Sequence, residues 1–184
     1  MRVIGGEFRG RILRMPKGVK IRPTQDRTRE AVFNIIRQRV PESAVLDLYA
    51  GSGAFGIEAL SRGAQSALFV DNNIKCMKAI KNNLLVLGDR PNLAELLKYD
   101  SVKAISRLGK EGRRFDIVFL DPPYYGKSAR NCLINIDACD ILSPRGIVIA
   151  EHFKKDEIPE ETPLLRRFER RKYGDTAISF YCKQ

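Results

Sequence analysis

The run Asp121-Pro122-Pro123-Tyr124 is an unusual way to leave an apolar segment. Two prolines remove two backbone donors and stiffen the chain, while an acid before them and an aromatic after them place a carboxylate, a fixed carbonyl and a ring face within four residues. Such a set can grip an amine attached to a planar ring. Asp121 and the Pro122 carbonyl would accept its two hydrogens, its lone pair would be turned toward an electrophile, and Tyr124 would stack on the ring. The bland account is a rigid strand exit with Tyr124 and Tyr125 packed as lid or core.

An electrophile needs a holder, and the stretch VLDLYAGSGAFG from Val45 to Gly56 supplies a candidate. Gly51, Gly53 and Gly56 fall between an apolar strand and a helix, where a doubly wound sheet opens its ligand crevice. Gly51-x-Gly53-x-x-Gly56 also fits a dinucleotide fingerprint, with Asp71 twenty residues after Gly51, so the loop alone does not separate NAD from S-adenosylmethionine. Asp47 favours the second, because a carboxylate inside that strand can serve a ligand's ammonium group; capping of loop N–H groups is the alternative. Asp71 can accept from both ribose hydroxyls. Asp100, with Ser101, can address the adenine amine or equally cap a helix. Asp121 stands 74 residues after Asp47 with two strand-end acids between, and together these residues suit methyl transfer from a sulfonium to an aromatic amine better than hydride transfer. His152, the single histidine, is expected to be structural, since an amine needs no strong base before attack. No metal is required.

These side chains need a scaffold. Apolar runs at Ala44–Tyr49, Ser66–Asp71, Glu95–Asp100, Phe115–Asp121 and Gly146–Glu151 alternate with helical patterns at 53–62, 73–87, 101–109 and 127–142. In the second helix Ile74, Met77, Ile80, Leu84 and Leu87 form a stripe at helical spacing. The alternation predicts an α/β fold with a doubly wound, mostly parallel sheet. Leu165–Lys172 and Thr176–Cys182 follow too closely for a crossover helix, so an antiparallel hairpin is expected to bring the sheet to seven strands. Residues 1–43 stand outside this core of 44–184. They read as a small hairpin (Val3-Ile4 with Arg11–Leu13) and a helix near 25–40 with Val32, Ile35, Ile36 and Val40 facing inward.

The chain of 184 residues is expected to form a single domain. Without a long apolar run or a signal-like start, a cytoplasmic protein is expected. Cys132 and Cys139 are read as apolar residues on one helix face, and the four cysteines contain no CxxC pair, against a zinc or disulfide framework. Net charge is +11, and residues 1–40 hold eleven Lys and Arg against three acids, which accounts for +8 of it. This segment is a candidate polyanion contact, or else a solvated basic face.

The chain resembles the class I S-adenosylmethionine-dependent methyltransferases, and more closely the RsmD family of 16S rRNA guanine-N2 methyltransferases. The similarity lies in RVIGGEFRGRIL (Arg2–Leu13), IRPTQDRTREAVFNII (Ile21–Ile36), DLYAGSGAFGIEALSRGA (Asp47–Ala64), FLDPPY (Phe119–Tyr124) and KYGDTAISFY (Lys172–Tyr181). The resemblance implies a monomeric enzyme methylating one guanine of small-subunit rRNA, within an assembling 30S particle. It implies that Asp47, Tyr49, Gly51, Gly53, Asp71 and Asp100 line the cofactor, that Asp121, Pro122 and Tyr124 carry the chemistry, and that Arg2, Arg9, Arg11, Arg22 and Arg27 meet phosphates. Tyr49 stands where family members often have Phe, and Asn72-Asn73 follows Asp71 where other residues are common. The rival readings are a DNA adenine-N6 methyltransferase, a non-catalytic RNA-binding assembly factor, and an NAD oxidoreductase, which would leave the Asp-Pro-Pro-Tyr run unexplained.

Overall fold

A computed structural model describes residues 1–19, 26–88, 93–123 and 128–184. Among these residues five helices, α1 (Asp26–Ile35), α2 (Ala54–Ser61), α3 (Ile74–Leu84), α4 (Ser101–Lys110) and α5 (Ser128–Cys139), pack on one sheet. Its strands are β1 (Ala44–Leu48), β2 (Ser66–Asp71), β3 (Ala94–Lys98), β4 (Phe115–Leu120), β5 (Leu142–Phe153), β6 (Leu165–Tyr173) and β7 (Thr176–Lys183). They lie in the order β3-β2-β1-β4-β5-β7-β6. The first five pair in parallel, and β7 is antiparallel to both neighbours. The mostly parallel sheet and its antiparallel closing hairpin are therefore as expected.

Helices cover both faces, so β1, β2, β4 and β5 are apolar at nearly every position rather than at alternate ones. One face packs Phe69, Ile117, Phe119, Ile149 and Phe180 under α1, α2 and α3, and the other packs Leu46, Val70, Val118 and Val148 under α4 and α5. Cys132 belongs to the second layer and Cys139 packs against it, as their spacing predicts. Among the described residues no helix is long and apolar enough to cross a membrane.

Several boundaries differ from the sequence expectation. The helix expected over 25–40 is α1 followed by a separate 3-10 turn at Arg37–Arg39. Its inward face is Val32, Phe33, Ile36 and Val40, while Ile35 is 38% exposed; at 100° per residue Ile35 falls off the arc the other four define. In α3 the buried arc runs through Cys76, Met77, Ala79, Ile80 and Asn83. Ile74, in the first turn beside the capping Asn73, is half exposed. The last helix stops at Cys139, where Asp140 turns to φ 46°, and β5 begins four residues earlier than expected, with Leu142 opposite Phe115 across an irregular register.

The N-terminal segment forms the anticipated hairpin, with Arg2 bridged to Ile12 and the Val3 N–H donating to the Arg11 carbonyl at 2.9 Å. Glu58, a buried acid in the otherwise apolar α2, clamps it. Its two oxygens accept from the Ile4 N–H at 2.7 Å and the Gly5 N–H at 2.8 Å, and Arg62 Nε donates to it at 2.7 Å. Fully buried Arg29 of α1 brings its Nε to 3.9 Å from the same carboxylate and donates to the Arg2 carbonyl. Ser61 adds a bond from the Phe8 N–H at 3.0 Å. The hairpin, α1 and α2 thus share one buried charge cluster. Because Glu58→Ala leaves buried Arg29 with only the half-exposed Asp26, at 3.2 Å, as a charge partner, it is expected to cost about 3 kcal/mol, read as a lower urea midpoint; an unchanged midpoint would mean the cluster holds nothing together.

Candidate active site at the carboxyl edge of the sheet

Since β1 to β4 run in parallel, their carboxyl ends share one edge of the sheet, and the sequence-derived residues converge there. Leu48 is level with Val70 of β2 and with Leu120 of β4. Tyr49, Asp71 and Asp121 therefore leave adjacent strands side by side, with Asp100 two residues past the end of β3. Pro122 is buried and Pro123 exposed. Tyr124 and Arg22 lie outside the described residues.

The β1–α2 loop turns through left-handed backbone at Tyr49 (φ 58°), Gly51 (φ 56°) and Gly53 (φ 78°). Glycine adopts that region freely, whereas Tyr49 does so at a cost of about 1–3 kcal/mol and must be held by its surroundings. Its hydroxyl lies 3.5 Å from Cys132 Sγ, and burial raises its pKa, with the cysteine adding to the rise. Close approach is built in at Gly56 as well: a Cβ there would stand 2.3 Å from the Phe69 ring.

Two strand acids hold this loop. Asp71 accepts from the Gly51 N–H at 3.0 Å through one oxygen and from the Asn73 N–H at 2.8 Å through the other. Asp47, 2% exposed, accepts from the Gly56 N–H at 3.0 Å. Burial pushes its carboxyl up to about 8 against the opposing effect of that N–H, and the negative charge of Asp71 adds to the rise. Both readings of Asp47 keep support. It caps the loop, and it is a buried carboxylate that a cation would stabilise in its charged form. Asp100 is exposed and caps α4, accepting from the Lys103 N–H at 3.0 Å, so the capping role allowed for it is realised.

His152 is buried. Its Nδ1 lies 2.8 Å from the Phe153 carbonyl and its Nε2 3.1 Å from Ser179 Oγ, while burial lowers its pKa. Those partners make it a structural bridge between β5 and β7, as anticipated. The arginines Arg2, Arg9, Arg11 and Arg27 are all exposed. Between them Gly5 and Phe8 bond to Glu58 and Ser61 of α2, while Met1 reaches the glycine loop, its Sδ 3.7 Å from Ser52 Oγ. Arg2 lies 3.8 Å from Asp26, and Arg11 lies over the Phe8 ring at 5.9 Å.

Three features escaped the sequence reading. Asn83 donates to the carbonyls of Arg14 and Ser52, both at 2.9 Å, and accepts from the Arg14 N–H at 2.8 Å, so one side chain joins the N-terminal segment to the glycine loop. In the sequence it sits beside Asn82 and looks like a solvated face. Phe33, Phe55 and Phe119 form a ring cluster, with centroids 4.8 Å apart between Phe55 and Phe119 and 5.6 Å between Phe33 and Phe119. It packs two residues before Asp121. Glu58 did give a signal, as a lone acid in an apolar helical run.

A family profile described as "Conserved hypothetical protein 95" matches residues 1–182. The chain is 37% identical over 184 residues to "Putative rRNA methyltransferase YlbH" of Bacillus subtilis, covering 100% of each. It is 32% identical over 168 residues to "Ribosomal RNA small subunit methyltransferase D" of Haemophilus influenzae, covering 90% of this chain and 86% of that one. Among solved structures, "Putative methyltransferase yhhF" of Escherichia coli superposes with a TM-score of 0.86 at 27% identity, over 100% of this chain and 98% of that one.

Asp47 yields a stability prediction. Its folded pKa of about 8 lies above the ordinary 3.8, so its contribution is full below about pH 4 and is lost as pH rises toward 8. Asp47→Asn, which keeps an acceptor for Gly56 without the charge, should unfold at a higher urea concentration than wild type at pH 8 but not at pH 4.5. Parallel pH profiles for the two proteins would contradict the assignment.

Proposed function

The chain belongs to the RsmD family and has the class I methyltransferase fold, and on that premise we propose that it transfers a methyl group from S-adenosylmethionine to the exocyclic N2 of one guanine in small-subunit rRNA. The observation that carries this reading is the exit of Asp121 and Pro122 from β4 beside the glycine loop that leaves β1. An acceptor corner and a cofactor crevice thus share one edge. All 184 residues act as one domain, working as a monomer in the cytoplasm on RNA within an assembling 30S particle.

The residues present suit the cofactor. Backbone with positive φ at Gly51 and Gly53 offers N–H groups without an intervening side chain. Asp47 would take the ammonium, Asp71 the ribose diol and Asp100 the adenine amine, with Tyr49 along the wall. When bound, S-adenosylmethionine supplies a methyl carbon made electrophilic by its sulfonium sulfur. The protein's own work is on the nucleophile. An amine on an aromatic ring shares its lone pair with the ring and attacks poorly. Asp121 and the Pro122 carbonyl each accept one amine hydrogen, which turns the lone pair out of conjugation and stabilises positive charge building on nitrogen. The proton becomes acidic only as the new N–C bond forms, and it leaves along the hydrogen bond to Asp121. Tyr124 stacks on a base taken out of its normal stack. Arg2, Arg9, Arg11, Arg22 and Arg27 position the RNA by its phosphates.

The test uses labelled cofactor with unmodified small subunits, naked rRNA and DNA offered separately, followed by digestion to nucleosides. Label should appear as N2-methylguanosine from subunit or rRNA, and Asp121→Ala should lower the rate about a hundredfold or more. Label in N6-methyladenine of DNA would replace this reading with the DNA enzyme. Tight RNA binding without transfer would leave an assembly factor.

A further inference from the structure

Strand β6 forms one edge of the sheet and carries the sequence LRRFERRKY. Residues 1–40 account for eleven of the 33 basic residues and three of the 22 acids, so the remainder of the chain has 22 against 19, a net +3. Strand β6 alone contributes five basic residues and one acid, +4, so outside it and the N-terminal segment the chain is slightly acidic.

The strand is also placed to matter. Because β6 and β5 are both antiparallel to β7, β6 runs parallel to β4. Leu120 is level with Ala150, Ala150 with Ser179, and Ser179 with Arg170. Arg171 therefore stands at the height of Asp121, three strand spacings away, or about 14 Å. That is the span of roughly four stacked nucleotides at ~3.4 Å each.

Its side chains suit a nucleic acid. Phe168 sits at a register shift in the β6–β7 pairing; its ring centroid lies 6.0 Å from that of buried Phe180, yet it remains 48% exposed. Arg166 and Arg171 are exposed on its face of the sheet, and Lys172, which faces the other side, is exposed at the same outer edge. Among the described residues Arg166 and Lys172 have no ion pair, and Arg171 has only a surface contact with Glu169 at 3.3 Å. Glu160, from the preceding acidic loop, engages Arg167 instead. Edge strands often carry charge simply to block strand pairing. A half-exposed phenyl ring works against that purpose, whereas a ring among cations is a stacking platform beside a phosphate track.

We propose that β6 is a second RNA-binding surface, on which Arg166, Arg171 and Lys172 hold the phosphate backbone and Phe168 receives a base or ribose next to the segment entering the Asp121 corner. It rests on the reading that RNA is the substrate. The full-length protein is tested with a small-subunit rRNA transcript, measuring affinity across a salt series together with the kinetics of methyl transfer. Joint replacement Arg166→Gln, Arg171→Gln and Lys172→Gln should reduce the salt slope of log K by about 2 and weaken binding tenfold or more near 0.1 M salt. The apparent KM for RNA should rise with kcat, cofactor affinity and melting temperature unchanged. Phe168→Leu, which retains packing on Phe180, should weaken binding without changing the slope. A triple variant that binds and titrates like wild type overturns the surface and leaves β6 as a protected edge. Failure of the wild-type protein itself to bind or methylate both the transcript and unmodified small subunits would instead take down the substrate reading, and this surface with it.

Discussion

A tight loop running through left-handed backbone has no strand ladder to hold it, and here two carboxylates substitute for one. Asp71 takes the Gly51 N–H and Asp47 the Gly56 N–H, so one end of the turn is anchored to β2 and the other to β1 by side-chain acceptors. The arrangement is tense. Asp47 is buried and pushed up to about 8, with the charge of Asp71 adding to the rise, and Tyr49 occupies a conformation usual for glycine. Such strain persists only where the surroundings over-determine it. The apolar strands on either side, the Phe69 ring against Gly56 and the wall of α5 beside Tyr49 supply that constraint.

The second organising element is the joint between the N-terminal hairpin and the sheet. Glu58 collects backbone donors from the hairpin and guanidinium groups from α1 and from Arg62, which caps α2, and the Phe33–Phe55–Phe119 cluster fills the space between those helices and β4. A basic segment that looks like an appendage in the sequence is thereby keyed into the packing behind the Asp121 corner. Asn83 makes the same connection on the other side, from Arg14 to the carbonyl of Ser52 in the glycine loop.

What the sequence discloses and what it hides follow from the range of the interactions involved. Strand existence, the parallel pairing and the closing hairpin are legible because burial on both faces writes long apolar runs, and because a short turn at Gly174 admits only an antiparallel return. Glycines and acids at strand ends were visible because their spacing is local. Asn83, Arg29 and the phenylalanine cluster were not, since each acts through partners tens of residues away. The inward faces of α1 and α3 were misjudged at Ile35 and Ile74 because hydrophobicity alone does not say where a helix turns its back, and a polar Asn83 took a place on the buried arc.

The position of β7 also bears on the order in which the molecule can be assembled. Strands β5 and β6 emerge from synthesis earlier, yet they are not neighbours in the sheet; β7 lies between them and pairs with both. Until it does, β5 offers an open ladder of donors and acceptors and β6 has nowhere to attach. Completion of this flank therefore waits for the last strand of the sheet, and until then the β5 edge is open to pairing with the wrong strand.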